Sequence, residues 1–409
     1  MAGEPAHAAT APSPGAPVFE FLASSVPLAP GLGEFRAALA ADRNDDIRQL
    51  HGHGFDFRAR DRGLVRDANW FGEAVGVPID VFRGGDFRVR EVDSVLLNDS
   101  AYSPGSTTIC SLSRGLFEPS TKNFRLTSSD LSNLAQLDPL YAMDPQGRCC
   151  YAPSLFGLPY HNVSILPVCG TGFHNYGHFL YDGLPWAFLL LGQLETERTF
   201  LAGGPLAPWQ HALLRLAGLL DRYIVLRRPA RFRRVIASST MSFHVPYPSR
   251  FVRPLIDTIR FRVALSGGSR SSKIFVSRRF DRVKRLLVNR DAVEQIFARH
   301  GFEIVRPEEL DVVEQIAKFS AARVVAGETG AGMANIVFCD PGARILEIQP
   351  VTFVEGWTRA SCLLFGHDWS AYFARAEPRP PPSEEGVTPL RFEVDLASLE
   401  QAIRRVQER

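Results

Sequence analysis

The chain contains 409 residues, with 46 lysines and arginines against 44 aspartates and glutamates, which gives a formal net charge of +2. A balance this close to neutral is not typical of proteins that coat nucleic acid, which carry a strong basic excess. Hydrophobic residues make up 45% of the chain, which excludes disorder as its main state, and the length indicates two or three domains at roughly 150 residues each.

The N-terminal segment, residues 1–17, is rich in alanine and proline but lacks a basic start and an apolar run. It is therefore interpreted as a disordered tail and not as a signal peptide. The longest apolar stretch, Leu184–Leu191, is far shorter than the ~20 residues that cross a bilayer, so no transmembrane segment is predicted. The six cysteines form no CxxC pair, and a cytoplasmic location is the default expectation.

Strand and helix patterns alternate irregularly in the first part of the chain. The predicted elements are strand-like residues within Val89–Leu97, a strand over Ser164–Val168, a helix from about Tyr176, a strand at Phe200, a helix near His211–Leu219 and a strand over Tyr223–Leu226. A helix with Leu255, Ile259 and Val263 on one face precedes the stretch LSGGSRSS, which has linker composition. We therefore assign residues 18–265 to an N-terminal lobe and place a hinge at Leu265–Ser272.

The alternation is clearest in the last third. Strands are predicted over Ile274–Ser277, Glu303–Val305, Val324–Gly327 and Ile345–Ile348, with helical stripes around Val293 and Ile316 between them. Such alternation indicates a doubly wound α/β sheet that binds ligands beyond the carboxyl ends of its strands. Residues 273–375 form this C-terminal lobe. Residues 376–409 contain a proline-rich stretch and a helix over Leu396–Arg409, which is expected to return to the first lobe.

The first candidate site is the run Thr171–Pro185, TGFHNYGHFLYDGLP. If Asn175 caps the helix, His178 and Asp182 follow one turn apart on the same face. A carboxylate at that spacing can hydrogen-bond the imidazole, fix its tautomer and raise its basicity. The pattern predicts an acid-base pair, and a buried polar pair without catalytic role is the alternative.

His174 and His178 also have the histidine spacing of HExxH zinc sites, which leaves a metal-dependent hydrolase as a competing interpretation. The three residues between them include no glutamate that could act as a base. No metal is therefore predicted.

The second candidate site is the run Val325–Asn335, VAGETGAGMAN, in which a strand passes through glycine into a helix. Backbone N–H groups at the start of such a helix can face a pyrophosphate. The spacing of Gly327, Gly330 and Gly332 is not the GxGxxG of nicotinamide enzymes, so that cofactor is disfavoured. A tight turn without a ligand remains an alternative.

Charged residues follow the same strand ends. Arg278 follows the first strand of the C-terminal lobe, where it could neutralise a leaving diphosphate. Glu347 is placed at the end of the strand Arg344–Ile348, where it could accept ribose hydroxyls. A ligand-binding edge and a solvated basic face are equally compatible with Arg282, Lys284, Arg285 and Arg290. The basic run Arg227–Arg234 indicates a lobe surface or a patch for an anionic acceptor.

Three motifs in this order resemble glycosyltransferase family 61: HNYGHFLYDGLP, VSRRFDRVKRLLVN and ARVVAGETGAGMANIVFCDPGARILEIQP. The resemblance covers roughly Val163–Trp369. It implies a GT-B architecture of two Rossmann-like lobes facing a central cleft, an inverting reaction, and neither metal nor cofactor. It also implies a nucleotide-sugar donor, with a UDP-sugar favoured, and a saccharide, glycolipid or other glycoconjugate acceptor for polysaccharide biosynthesis. No nucleic acid is expected, and peripheral membrane contact is compatible with it.

Carried over residue by residue, the resemblance implies that His178 and Asp182 are catalytic, with Asn175 and His174 in support, and which of the pair is the base stays open. The donor-binding residues that it implies are Arg278, Arg285, Asn289, Glu328, Thr329, Gly330, Ala331, Gly332, Asn335 and Glu347. Many members have histidine where this chain has Thr329. That departure leaves open a catalytically silent nucleotide-sugar-binding or scaffold protein in a polysaccharide-assembly complex.

Overall fold

The structure is a computed structural model. It describes residues 46–51, 56–57, 70–72, 87–88, 92–111, 115–116, 138, 140–143, 149–151, 155, 157–168, 173–193, 199–238, 252–264, 271–278, 285–377 and 390–408. The predicted tail at 1–17 lies outside these residues, as does most of the predicted hinge.

Elements are labelled in chain order. The strands of the first part are β1 (Asp46–His51), β2 (Asp56–Phe57), β3 (Trp70–Gly72), β4 (Phe87–Arg88), β5 (Val92–Tyr102), β6 (Ile109–Ser111), β7 (Gly115–Leu116), β8 (Tyr141–Met143), β9 (Cys149–Tyr151), β10 (Tyr160–Pro167), β11 (Thr199–Gly203), β12 (Tyr223–Val225) and β13 (Ala230–Ser238). Those of the second part are β14 (Lys273–Val276), β15 (Arg285–Leu287), β16 (Glu303–Val305), β17 (Val324–Glu328), β18 (Arg344–Pro350), β19 (Asp368–Ala376) and β20 (Leu390–Glu393).

The α-helices are α1 (Tyr176–His178), α2 (Leu184–Gln193), α3 (Pro208–Ala217), α4 (Val252–Ala264), α5 (Arg290–Arg299), α6 (Val312–Ala321), α7 (Trp357–Phe365) and α8 (Leu396–Glu408). A π-helical segment, Phe179–Gly183, joins α1 to α2. Short 3₁₀ helices cover Leu220–Arg222, Pro307–Glu309 and Ala331–Phe338. Among the described residues, none of the helices is long and apolar enough to cross a bilayer.

The first sheet has the strand order β12-β11-β10-β13-β5-β6-β7, with β1 also paired to β5. Strands β10 to β13 are parallel, whereas β5 and β6 are antiparallel additions. From β10 the chain moves outward through β11 and β12 and then returns to the other side of β10 as β13. In doubly wound sheets such a reversal marks the place where ligands bind, here beyond the carboxyl ends of β10 and β13.

The second sheet has the order β15-β20-β19-β18-β17-β14-β16, with β3 also paired to β19. Its strands β14, β16, β17, β18 and β19 are parallel. Their order along the sheet is 2-1-3-4-5, so the chain changes direction between β14 and β17. Ligands of doubly wound sheets bind at such a switch point. The predicted mixed α/β class, with parallel strands in both halves, is therefore confirmed.

One hydrophobic core connects the two sheets. Helices α3, α4 and α6 pack together, and Leu213, Ile256 and Ile316 on these helices have no exposed surface. The cluster that contains them also includes Leu166 of β10 and Val325 of β17. The two sheets therefore share an apolar interior instead of meeting only across solvent.

The C-terminal helix, predicted to return to the first lobe, packs on the second sheet, where it also contacts β3 from the first part of the chain. Helix α8 packs on α5 and on strands of the second sheet. Its apolar stripe, including Leu399, Ile403 and Val406, joins a core with Phe297 and Tyr372 of that sheet. The amphipathic pattern predicted the helix correctly, but a pattern alone does not specify which of two apolar sheet faces the helix covers.

A buried histidine leads to one stability prediction. The Nε2 of His367 donates to the main-chain oxygen of Ile336 at 3.0 Å, and burial lowers the pKa of His367 to about 4. In the unfolded chain the imidazole titrates near its ordinary pKa of about 6.5, so acid favours unfolding between these two values. Compared with His367→Gln, the wild type should lose about 3 kcal/mol more unfolding free energy between pH 7 and pH 4. Urea titrations across that range measure the difference, and parallel curves would contradict the prediction.

Candidate active site

The histidine-rich motif forms the helix entry that follows β10. Asn175 is the N-cap of α1, and its side-chain oxygen accepts from the main-chain N–H of His178 at 3.2 Å. The capping role predicted for Asn175 is confirmed. The π-helical turn that follows buries Phe179, Leu180 and Tyr181. Such single π turns inside helices are frequent at functional sites, and here the turn holds the polar pair at the helix surface.

His178 and Asp182 form the predicted pair. The Nδ1 of His178 lies 2.6 Å from Oδ2 of Asp182, and their side chains are 33% and 10% exposed, respectively. The carboxylate is thus the inner partner and the imidazole the outer one. With Nδ1 bonded to the carboxylate, the tautomer places the acceptor lone pair on Nε2, where an incoming hydroxyl can donate to it.

The glycine-rich motif forms a tight turn at the end of β17. Gly330 has φ +143°, a backbone conformation that is essentially restricted to glycine. A Cβ added at Gly330 would collide with the guanidinium of Arg278, so Arg278 lies directly on the bare face of this glycine. The helix that follows is a 3₁₀ helix and begins at Ala331. A Cβ on Gly332 would come within 3.1 Å of Val276, which shows how closely the turn packs on β14.

Replacing Gly330 by alanine should therefore weaken donor binding as well as stability. The strained backbone costs about 1–3 kcal/mol, and the new methyl group displaces Arg278. Gly342→Ala is the matched control, because Gly342 also has a positive φ of +86° but no atom within 4 Å of the added Cβ. Thermal unfolding and donor titration should show two destabilised variants, of which only Gly330→Ala loses donor affinity. Equal donor affinity in the two variants would contradict the prediction.

Three arginines surround a single carboxylate at this switch point. Glu328 is buried at the end of β17, and Arg290, Arg278 and Arg285 all act to lower the pKa of Glu328 against the larger rise caused by its burial. Burial disfavours the charged form of the arginines as well, so it lowers the pKa of Arg278 and of Arg285. Glu308 also acts on Arg278, and Glu355 and Glu347 act on Arg285, so the cluster contains charges of both signs. Partly dehydrated guanidinium groups in such a cluster can interact strongly with a bound anion.

Arg285 also supports the glycine turn. Its Nη2 donates to the main-chain oxygen of Thr329 at 3.1 Å, and its guanidinium carbon stands 4.4 Å from the ring centre of Phe353. The cation is therefore held between the Thr329 carbonyl and an aromatic face, and its Nε finds no hydrogen-bond partner among the described residues.

Two tyrosines join the histidine motif to the glycine motif. The hydroxyl of Tyr176 donates to Oδ1 of Asn335 at 2.5 Å, and that of Tyr181 donates to the main-chain oxygen of Ala334 at 3.0 Å. Burial raises the pKa of both tyrosines, so their hydroxyls remain protonated donors. The fully buried Asn335 also donates to Gln315 at 3.2 Å. The two motifs are consequently neighbours, packed against one another.

Glu347 is not at a strand end. Strand β18 continues to Pro350, and Glu347 is 0% exposed. Its carboxylate accepts from Thr358 at 2.7 Å, from Trp369 at 3.0 Å and from Gln349 at 2.8 Å. The position predicted from the pattern is therefore wrong, because a buried β-strand does not mark its last residue in the sequence. A ribose contact remains a prediction that has to compete with these donors.

Thr329 faces the same interior carboxylate. Its side chain is buried, and its hydroxyl helps to lower the pKa of Glu347 against the larger effect of burial. Only the main-chain oxygen of Thr329 contacts Arg285. The side chain that departs from the family pattern is therefore directed into the protein.

Two other predicted site residues make their described contacts outside the arginine cluster. Asn289 exchanges two hydrogen bonds with the main chain of Val394, at 2.7 and 3.2 Å, and so ties the start of α5 to the end of β20. His174 is exposed and packs edge-on to Phe173. Among the described residues, no group of three or more His, Cys, Asp or Glu side chains is arranged to hold a metal ion.

Three residues shape the site in ways that the sequence did not indicate. For Arg290, a ligand-binding edge and a solvated basic face were equally compatible with the sequence, whereas its side chain is only 1% exposed. Tyr176 and Tyr181 were treated as part of the helix pattern alone. Tyr176 and Tyr181 are five residues apart, and this spacing was the available signal. Residues five apart share a face of a π-helical turn but not of a regular α-helix, and the π turn lies between them.

Comparison with known protein families decides the class of the chain. A family model described as glycosyltransferase 61 matches residues 176–346. Residues 176–346 form a glycosyltransferase family 61 domain. The matched segment starts beside the cap of the histidine motif and includes the whole glycine motif, so both halves of the candidate site lie within the conserved domain or at its border. No curated protein matches the chain.

A glycosyltransferase family 61 domain makes the protein a transferase that moves a sugar from a donor to an acceptor. The resemblance seen in the three motifs is thereby confirmed. Sugar transfer requires a group that removes the acceptor proton and a group that receives the leaving charge. The His178–Asp182 pair and the arginine-lined glycine turn have these two chemical properties.

Proposed function

We propose that the protein is an inverting glycosyltransferase that moves a sugar from a nucleotide-sugar donor, with UDP-linked sugars favoured, to a hydroxyl of a saccharide or glycoconjugate. The observation that carries the proposal is the junction of the two motifs through the Tyr176–Asn335 and Tyr181–Ala334 hydrogen bonds. This junction supports a reaction centre with a proton acceptor on one side and an anion site on the other.

His178 is the proposed base and Asp182 its orienting partner. The acceptor hydroxyl donates to Nε2 of His178, and its oxygen attacks the anomeric carbon from the face opposite the nucleotide. A new C–O bond forms while the bond between the anomeric carbon and the phosphate oxygen breaks, and the proton moves to the imidazole. Asp182 stabilises the imidazolium, and its position behind the ring supports this division of roles.

The departing diphosphate is proposed to bind at the arginine-lined turn. It leaves with the electron pair of the broken bond, so its negative charge grows as the reaction proceeds. Arg278 on Gly330 and Arg285 beside Thr329 stand where such charge can be neutralised without reorganisation. These cations support a mechanism that requires no metal ion.

The proposed architecture is GT-B, with residues 18–265 as the acceptor-side lobe and residues 273–375 as the donor lobe. Strand β3 is an exception, because it pairs with β19 of the second sheet, and β20 and α8 add to the donor lobe. Support comes from the two switch points, between β10 and β13 and between β14 and β17, since each follows the doubly wound pattern. A role in polysaccharide biosynthesis, peripheral membrane contact and a cytoplasmic location stay predictions.

The proposal is tested with purified protein and a panel of UDP-, GDP-, CMP- and TDP-sugars. Release of free nucleotide is measured first without acceptor and then with candidate glycans, in the presence and absence of EDTA. NMR of the product determines the anomeric configuration. Acceptor-dependent release that survives EDTA, with inverted configuration, is the expected result.

Asp182→Asn is the matched variant for this assay, because it keeps the shape of the side chain and removes its charge. We expect it to bind the donor and to turn over slowly. A protein that binds a nucleotide sugar but never releases nucleotide with any glycan would indicate the silent scaffold instead. Retained anomeric configuration would refute the inverting mechanism.

A further inference from the structure

A buried arginine lies behind the crevice between β14 and β17. Arg290 is the first residue of α5, and its side chain is 1% exposed. Its Nη1 stands 2.8 Å from Oε1 of Glu328, and its Nη2 donates to Oε2 at 3.2 Å. The guanidinium therefore pairs with this carboxylate through a hydrogen bond from Nη2 and an ion-pair contact from Nη1. Glu328 is the last residue of β17, directly before the glycine turn.

The same guanidinium holds the chain that follows β14. Its Nη1 donates to the main-chain oxygen of Arg278 at 2.5 Å and to the hydroxyl of Ser277 at 3.3 Å. The Ser277 hydroxyl in turn donates to Glu294 at 2.5 Å, whose carboxylate accepts from Arg306 at 2.8 and 2.6 Å. One buried side chain thus cross-links the carboxyl ends of the two strands that flank the switch point.

We infer that Arg290 is a positioning residue that fixes Arg278 over Gly330 so that its guanidinium meets the donor diphosphate. The inference rests on the proposed function. The hydrogen bond from Arg290 to the main-chain oxygen of Arg278 fixes the backbone from which the Arg278 side chain extends. Gly330 has no Cβ, so it does not constrain the Arg278 guanidinium that lies on it. Displacing a reacting group by about 1 Å can cost on the order of 100-fold in rate, so control of this backbone is functionally relevant.

Lysine at position 290 tests the inference, because it keeps the charge but lacks the planar fork that contacts two groups at once. Inorganic pyrophosphate is the probe, since it reports on the anion site without a nucleobase. Isothermal titration calorimetry at fixed ionic strength should show that Arg290→Lys weakens pyrophosphate binding on the order of 10-fold. Arg306→Lys is the control, because Arg306 contacts Glu294 at the outer end of the same network and not Arg278. Its affinity for pyrophosphate should equal that of the wild type.

A double-mutant cycle separates positioning from general stability. In an Arg278→Ala background, Arg290→Lys should cause no further loss of pyrophosphate affinity, because the group that it positions is absent. An equal loss in both backgrounds, or an unchanged affinity in the wild-type background, would overturn the inference. If Arg290→Lys does not fold by circular dichroism, Ser277→Ala replaces it in the cycle, with a smaller loss expected that again disappears without Arg278.

The failure of the proposed function gives a different result. Wild-type protein that does not bind pyrophosphate, or Arg278→Ala that binds it as well as the wild type, would contradict the donor site itself. A weakened Arg278→Ala beside an unaffected Arg290→Lys would overturn only the positioning role.

Discussion

Replacing His178 by alanine is expected to lower kcat by about 100-fold to 10,000-fold, the usual contribution of a general base. Donor affinity should change little, because His178 belongs to the helix after β10 and the arginine cluster belongs to the second sheet. Steady-state nucleotide release with acceptor measures the first quantity, and calorimetric titration with the donor measures the second. An unchanged kcat would remove His178 from the mechanism.

Two further variants make this result specific. Asp182→Asn should also lower kcat, because the amide cannot stabilise the imidazolium that forms when the proton is taken. His161→Ala is the control, since His161 lies near the start of β10, at the opposite end of the strand, and stacks on Phe232. A comparable loss in His161→Ala would show that removal of any histidine disturbs the protein.

Replacing Arg278 by alanine is expected to reduce kcat/KM by about 100-fold to 1,000-fold, comparable to the loss of one preorganised group that stabilises transition-state charge. Unlike the His178 variant, it should also weaken binding of the nucleotide-sugar donor. The reason is that its guanidinium lies on Gly330, beside Arg285 and Arg290, where the anion is proposed to bind. Donor titration together with steady-state kinetics measures both effects.

Arg299→Ala is the matched control for charge. Arg299 is exposed at the far end of α5, nine residues and about 14 Å along the helix from Arg290. Removing this distant positive charge should leave kcat/KM unchanged. Equal losses in the two arginine variants would point to long-range electrostatics instead of a local contact.

Much of the fold and of the site could be predicted from local patterns. The strands β14, β16, β17 and β18 were visible as short β-branched runs, and the i, i+4 pair His178–Asp182 followed from the helix that Asn175 caps. These features depend on neighbours within a few residues along the chain. The pattern of side chains along the chain is therefore sufficient to predict these strands and this pair.

The features that could not be predicted depend on contacts between distant segments. The burial of Arg290 requires the carboxylate of Glu328 and the main chain of Arg278 to converge on it. The enclosure of Glu347 requires Trp369 and Thr358 from later elements. Helix α8 packs on the second sheet because that sheet presents an apolar face to it, and the sequence of the helix does not specify which sheet it covers.

The apolar interior shared by α3, α4 and α6 couples the unfolding of the two halves of the molecule. Neither half can detach without exposing side chains such as Ile256 and Ile316 to water, at a cost of about 25 cal/mol for each square ångström. The two halves should therefore melt together in a single calorimetric transition. Substrate entry is then expected to involve loops and side chains at the rim, with the central helices remaining in place.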